Sequence, residues 1–169
     1  DGRPWFSNWL YSKTKLGPSR WESYDIHELI PWIDMNLKTI RTRSERAIAG
    51  LSMDGYGARE LAARHPDLFT MVASFSGAPE IDRGADTRIG ETAIISATMV
   101  GLNGVEPEAP FGSHLDNEIN WQGHDPARLI QNLRGLKLWL AVGDGRPGPY
   151  DDPIMDPMGA VYGGVIESL

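Results

Sequence analysis

The stretch from Ala47 to Ala58 constrains this chain more than any other part of it. Ala47 to Leu51 is a short apolar run that ends at Ser52, and Ala58, Leu61 and Ala62 then resume at helical spacing. That order predicts a strand, a sharp turn and a helix, with Ser52 on the turn. Gly50, Gly55, Gly57 and Ala58 are small enough to let the helix approach the sheet closely. On such a turn the serine hydroxyl projects at the carboxyl edge of the sheet. The backbone N–H of the next residue, Met53, points from the helix N-terminus towards the place where an oxyanion would form. An ordinary strand-to-helix turn is the plain alternative.

The usual pattern for a nucleophilic serine of this kind is G-x-S-x-G, and Asp54 stands where the last glycine is expected. A carboxylate in the first helical turn suits the helix dipole. Pointing inward, about 8 Å from an oxyanion, it would repel that charge by about 2 kcal/mol of interaction energy at an effective dielectric near 20. The side chain is therefore expected to point outward.

The rest of the chain reads as α/β. Up to about Arg20 it is a loop region rich in Gly, Pro, Ser and aromatics, anchored by tryptophans. Ile26, Leu29, Ile30, Ile33 and Leu37 follow helical spacing, and Pro31 should kink that helix or begin its second part. His65-Pro66-Asp67 ends the helix after Ser52, and Met71 to Phe75 forms a second strand closed by Ser76-Gly77-Ala78-Pro79. A helix is expected from Thr92 to Leu102, then a polar, Pro-rich excursion above the sheet. Asp125-Pro126 should cap a helix reaching about Leu133, and Leu136 to Val142 a third, buried strand. Strands separated by helices imply a parallel sheet covered on both faces, in one domain over 1–169.

Bulk properties remove several function classes. With 41% hydrophobic and 23% charged residues the chain has material for a real core, and its net charge of −7 argues against binding nucleic acid. Having no cysteine excludes disulfides and thiolate chemistry but leaves the compartment open. No apolar run approaches the length of a transmembrane helix. The ends, Asp1 and Leu169, look like truncation points.

Four stretches, in order, resemble the putative-esterase family of α/β-hydrolases, which includes mycolyltransferases and S-formylglutathione hydrolases. They are Gly2 to Trp9; Trp21-Glu22-Ser23-Tyr24 with Glu28-Leu29-Ile30-Pro31; the Ser52 turn with His65-Pro66; and Asp125-Pro126 through Gly143-Asp144-Gly145-Arg146-Pro147. The mycolyltransferase-like branch is the nearer. This resemblance implies an α/β-hydrolase fold, partial at both ends, and a triad in the order Ser, acid, His. Ser52 matches the nucleophile and Met53 the oxyanion donor. Ile166-Glu167 matches the branch's acid, whereas other branches would select Asp144; Glu167 is favoured, with Asp151 or Asp152 behind. The implied activity is a serine esterase or acyltransferase working through an acyl-enzyme on a small-molecule ester, which could be a lipid or glycolipid, with transfer to water or a sugar. Alternatives are an S-formylglutathione hydrolase or thioesterase-like enzyme, or a catalytically silent binding protein. No metal or organic cofactor is needed.

A serine hydroxyl requires an adjacent base. His27 and His65 sit in and at the end of helices and are expected to be structural, while His114 and His124 fall in a solvated loop upstream of the third strand, so none of the four is expected to be the base. The base is expected beyond Leu169, and the chain alone is expected to be nearly inactive. His114-x-Asp116 and His124-Asp125 do not place three metal ligands on one element. Gly143 to Gly148 lacks the ending of a phosphate loop. Trp5, Phe6, Trp9 and Tyr11 could wall an acyl or sugar pocket or simply pack.

Overall fold

The computed structural model describes residues 5–82, 95–96, 99–101 and 104–143. Its centre is a parallel sheet in the order β1 (Ala47–Leu51), β2 (Met71–Phe75), β3 (Lys137–Ala141). The register runs residue for residue, from Ala47 opposite Met71 and Lys137 to Leu51 opposite Phe75 and Ala141. Parallel pairing follows from the connections, each of which returns the chain to the starting end of the sheet.

Ahead of the sheet, Pro31 is absorbed without a break. The chain forms α1 (Trp21–Tyr24), a π-helical turn (Asp25–Leu29) and α2 (Ile30–Asn36), with Pro31 in the first turn of α2. A proline donates no N–H, and a π turn just before it shifts the hydrogen-bond register so that little is lost. The opening loop is tied to α1 through Asn8, whose amide donates to Ser23 Oγ at 2.9 Å and accepts from Ser23 N–H at 3.1 Å.

The helix after Ser52, α3 (Met53–Arg64), lies on the sheet face formed by Ile48, Val72 and Ser74. Val72 is fully buried there, with Ala58, Leu61, Ala62 and Phe69. The opposite face is different from the expectation. Leu51 (63% exposed), Phe75 (40%) and Trp139 (58%) line it and remain exposed, so among the described residues the sheet is covered on one face. These are side chains of a face made for burial.

A second core joins Trp5, Trp9, Tyr56, Phe111 and Trp121 above α3. Part of the expected helix at Thr92 to Leu102 lies outside the described residues, while Ile95 and Met99 are buried in this core. The polar excursion contains one short helix, α4 (Glu118–Gln122). The helix expected at Asp125 is a turn followed by a 3-10 segment, Ile130–Leu133. Asp125 is fully buried, and its two oxygens accept from Ala127 N–H at 2.8 Å and Asp82 N–H at 2.9 Å. Its carboxylate thus joins two loops rather than serving only as a helix cap.

A buried polar network fastens α1 and α4 to α3. Arg64 donates to both oxygens of Glu22, at 2.8 and 3.0 Å, and to Gly123 O at 2.7 Å, while His65 Nε2 lies 2.9 Å from Glu22 Oε1. Burial would raise the Glu22 carboxyl, but Arg64 and then His65 outweigh it and hold the group below its ordinary value. Glu60 is fully buried, with Arg64 Nε at 3.2 Å and His124 Nε2 at 3.9 Å. Its burial dominates and pushes its carboxyl well upward.

The two glutamates therefore give stability opposite pH slopes. The Glu22 contribution is present above the unfolded carboxyl value and is lost as pH falls through the lowered folded value. The Glu60 contribution is complete below the unfolded value and is lost as pH rises towards the raised folded value. Melting curves between pH 3 and 8 should show Glu22→Gln flattening the acid limb and Glu60→Gln flattening the decline on the neutral side; superimposable curves for the two variants would refute the assignment.

Candidate active site

The turn at Ser52 has φ 57° and ψ −120°, a conformation in which glycine is normally found and which costs a serine about 1–3 kcal/mol. Two hydrogen bonds hold it: Ser52 N–H donates to Phe75 O at 2.8 Å, extending the sheet, and Tyr56 N–H donates to Ser52 O at 3.0 Å, starting the helix. The geometry depends on the small neighbours. A Cβ on Gly50 would stand 2.0 Å from Asp54 O, and one on Gly55 would stand 2.9 Å from Ser74 Oγ and 3.1 Å from Gly77 Cα. Strand and helix approach so closely that only hydrogen fits between them.

Ser52 occupies the N-cap position of α3, yet its side chain makes no capping hydrogen bond, and the residue is exposed. The hydroxyl is thus not spent on the helix end. Met53 is the first residue of α3, where backbone N–H groups have no partner four residues back, and its side chain packs against the upper core. Strand, sharp turn and helix follow in the order anticipated from the sequence, and the Met53 amide lies at the positive end of the helix. Asp54 is exposed.

The aromatic residues differ in their surroundings. Trp5 (2% exposed) and Trp9 (7%) are core residues, Trp5 meeting Tyr56 edge-on at 5.3 Å between ring centroids. Phe6 is half-buried, its ring against Gly57, where a Cβ would come within 2.1 Å of it. It also borders an apolar trough of about 860 Å³ between the first helix, α3 and β1, lined by Ile26, Ile30, Ile33, Ile48 and Leu61. Tyr11 is exposed.

Each histidine has its own surroundings. His27 is exposed on the π turn. His65 pairs with Glu22 rather than with helix-end carbonyls, His114 with the buried Asp82, and His124 Nδ1 with Asn120 O at 2.8 Å. Burial holds the His124 ring below its ordinary pKa, assisted by the charge of Arg64. Among the described residues no hydrogen bond links a histidine to Ser52, and no group of three His, Asp or Glu side chains could hold a metal. Asp116 accepts from Ser113 Oγ at 2.7 Å. Glu167, Asp144, Asp151 and Asp152 lie outside the described residues, as do residues 144–148 of the glycine-rich turn. No helix among the described residues is long and apolar enough to cross a membrane.

Missed in the sequence was Ser76, which ends β2 as Ser52 ends β1 and also has a left-handed backbone, φ 49°. The signal was a serine directly after an apolar strand, hidden by its reading as a plain turn.

A family model described as Putative esterase matches residues 6–153. Esterase Rv1288 of Mycobacterium tuberculosis (strain H37Rv) is 30% identical over 139 residues, which cover 82% of this chain and 29% of that protein. Diacylglycerol acyltransferase/mycolyltransferase Ag85B of Mycobacterium leprae is 32% identical over 132 residues, covering 76% of this chain and 37% of that protein. Among solved structures, MPT51 (FbpC1) of Mycobacterium tuberculosis matches with a TM-score of 0.67 at 27% identity, over 95% of this chain and 56% of that one. The chain spans well under half the length of both curated relatives.

Proposed function

From the premise that this chain belongs to the esterase family and has the α/β-hydrolase fold, we propose that it carries the nucleophile of a serine esterase or acyltransferase. Ser52 Oγ attacks the carbonyl carbon of a carboxylic ester while a histidine takes its proton. The Met53 amide stabilises the resulting oxyanion from the start of α3. The alcohol departs with a proton, and the acyl-enzyme is released by water or by the hydroxyl of an acceptor such as a sugar. Glu167 orients the histidine, with Asp144 as the alternative acid. The histidine is supplied from outside the described residues, because His65, His114 and His124 are engaged elsewhere and His27 lies on the first helix.

The observation that carries this reading is Ser52 itself: a strained backbone, an exposed side chain and a hydroxyl not used as a cap. Substrates are small-molecule esters, lipid or glycolipid esters among them, and the names of the acyltransferase relatives favour transfer of an acyl group in lipid chemistry. Residue chemistry alone can run this reaction with no cofactor.

The test is to expose the full-length polypeptide containing this chain to a fluorophosphonate probe and map the adduct by peptide mass spectrometry. Modification at Ser52 is expected. A protein that stays unlabelled while folded would instead be a silent, binding member of the family. Turnover of an acyl thioester far above that of an oxygen ester would redirect the reading to a thioesterase or S-formylglutathione hydrolase.

A further inference from the structure

A second serine stands beside the first at the carboxyl edge of the sheet. Leu51 pairs with Phe75, so Ser52 and Ser76 are the next residues on adjacent strands, which lie about 4.8 Å apart. Both have left-handed backbones, φ 57° and φ 49°. Glycine adopts that conformation freely and serine does so at a cost.

The segment cannot relax because it is held from three directions. Ser76 N–H donates to Ala141 O at 2.7 Å, continuing the sheet. Gly77 is pressed so closely on the first turn of α3 that a Cβ there would stand 2.5 Å from Gly55 C and 2.6 Å from Tyr56 N. Arg59, 4% exposed, donates to the carbonyls of Gly77 and Ala78. Ser76 itself is half-buried, and among the described residues its hydroxyl is seen in no hydrogen bond. A glycine would fit this backbone better, so what the serine adds is a hydroxyl on a rigid support next to the nucleophile.

Resting on the reading of Ser52 as the nucleophile, we propose that Ser76 is a catalytic residue that hydrogen-bonds the alcohol oxygen of the substrate. The two oxygens of an ester need different partners. The carbonyl oxygen gains charge and only accepts, which suits the Met53 amide, a pure donor. The alcohol oxygen accepts a hydrogen bond as it leaves the acyl carbon. Its successor, the hydroxyl of water or acceptor, gives its proton to the base as it attacks and accepts a hydrogen bond on a free lone pair. A hydroxyl side chain can donate at both stages. Backbones about 4.8 Å apart put both serines within reach of one ester group, Ser52 at its acyl carbon and Ser76 at its alcohol oxygen. No bond forms or breaks at Ser76: Ser52 Oγ bonds the acyl carbon, the base takes the Ser52 proton and returns it to the departing alcohol, and Ser76 steadies that oxygen meanwhile.

The test compares the full-length polypeptide with its Ser76→Ala and Ser76→Gly variants on two esters of one acyl group, a p-nitrophenyl ester and an alkyl ester. A nitrophenolate departs without help, whereas an alkoxide needs it. Both variants should lose about tenfold in kcat/KM on the alkyl ester and stay within about twofold on the nitrophenyl ester, while Ser76→Gly melts above Ser76→Ala. An equal fall on both esters would mean a structural role, and unchanged alkyl-ester kinetics would remove Ser76 from the chemistry. Fluorophosphonate labelling of the unsubstituted protein separates the two levels. Labelling at Ser52 with no effect of either variant overturns the Ser76 assignment alone, and absence of labelling overturns the Ser52 reading beneath it.

Discussion

Replacing Ser52 with glycine is expected to remove ester turnover while making the protein harder to unfold. The loss should reach about four orders of magnitude or more in kcat, since a triad without its nucleophile retains only what substrate binding and oxyanion contacts provide. The gain arises because φ 57° with ψ −120° strains a serine and suits a glycine. Relief of about 1 kcal/mol would raise the midpoint of a chain this size by about 2–4 °C. Ser52→Ala shares the activity loss but keeps the strain, so its midpoint should stay close to that of the parent. Calorimetry alongside ester kinetics on the full-length polypeptide checks both halves. A Ser52→Gly variant that loses stability would show that the turn is not strained as described, and one that keeps its turnover would move the nucleophile elsewhere.

The second large effect is expected at Gly50→Ala. The added methyl would stand 2.0 Å from Asp54 O and 2.2 Å from Asp54 C, both backbone atoms that no side-chain rotation can clear. Either α3 lifts from β1 or the strand end tears away, and both displace Ser52. A cost of at least about 3 kcal/mol follows, a large part of the total stability of an ordinary domain. The midpoint should fall by about 6–12 °C or the protein should fail to accumulate folded. Gly101→Ala is the control, since nothing lies within 4 Å of a Cβ there. Urea denaturation showing the two variants alike would mean that the contact between strand and helix is looser than it looks. Gly57→Ala should fall between them, because the atoms it meets belong to the Phe6 side chain.

The turn around Ser52 was legible because several local signals agreed: an apolar run, a serine, small residues and a helical period in the right order. Strands Ala47–Leu51 and Met71–Phe75 were readable to the residue for the same reason. Asp125-Pro126 misled, although it has the form of a helix start. Its carboxylate is engaged with Asp82 N–H, 43 positions away, and a local pattern carries no trace of such a partner. Glu60 was invisible too, since a glutamate at a helical position normally faces water, whereas here it is fully buried beside His124, 64 positions away in the segment after α4. The base and the acid of the proposed site were not legible from the described part of the chain, because a triad is assembled in space from distant loops.

The side of the sheet left uncovered among the described residues bears on how such a protein can be handled. Leu51, Phe75 and Trp139 form a greasy plane, and β1 ends the sheet with its outer row of amides and carbonyls unpaired among the described residues. A surface of that kind is sticky towards extended chains and towards copies of itself. A preparation trimmed to the serine turn and its immediate supports is therefore expected to clump in the test tube.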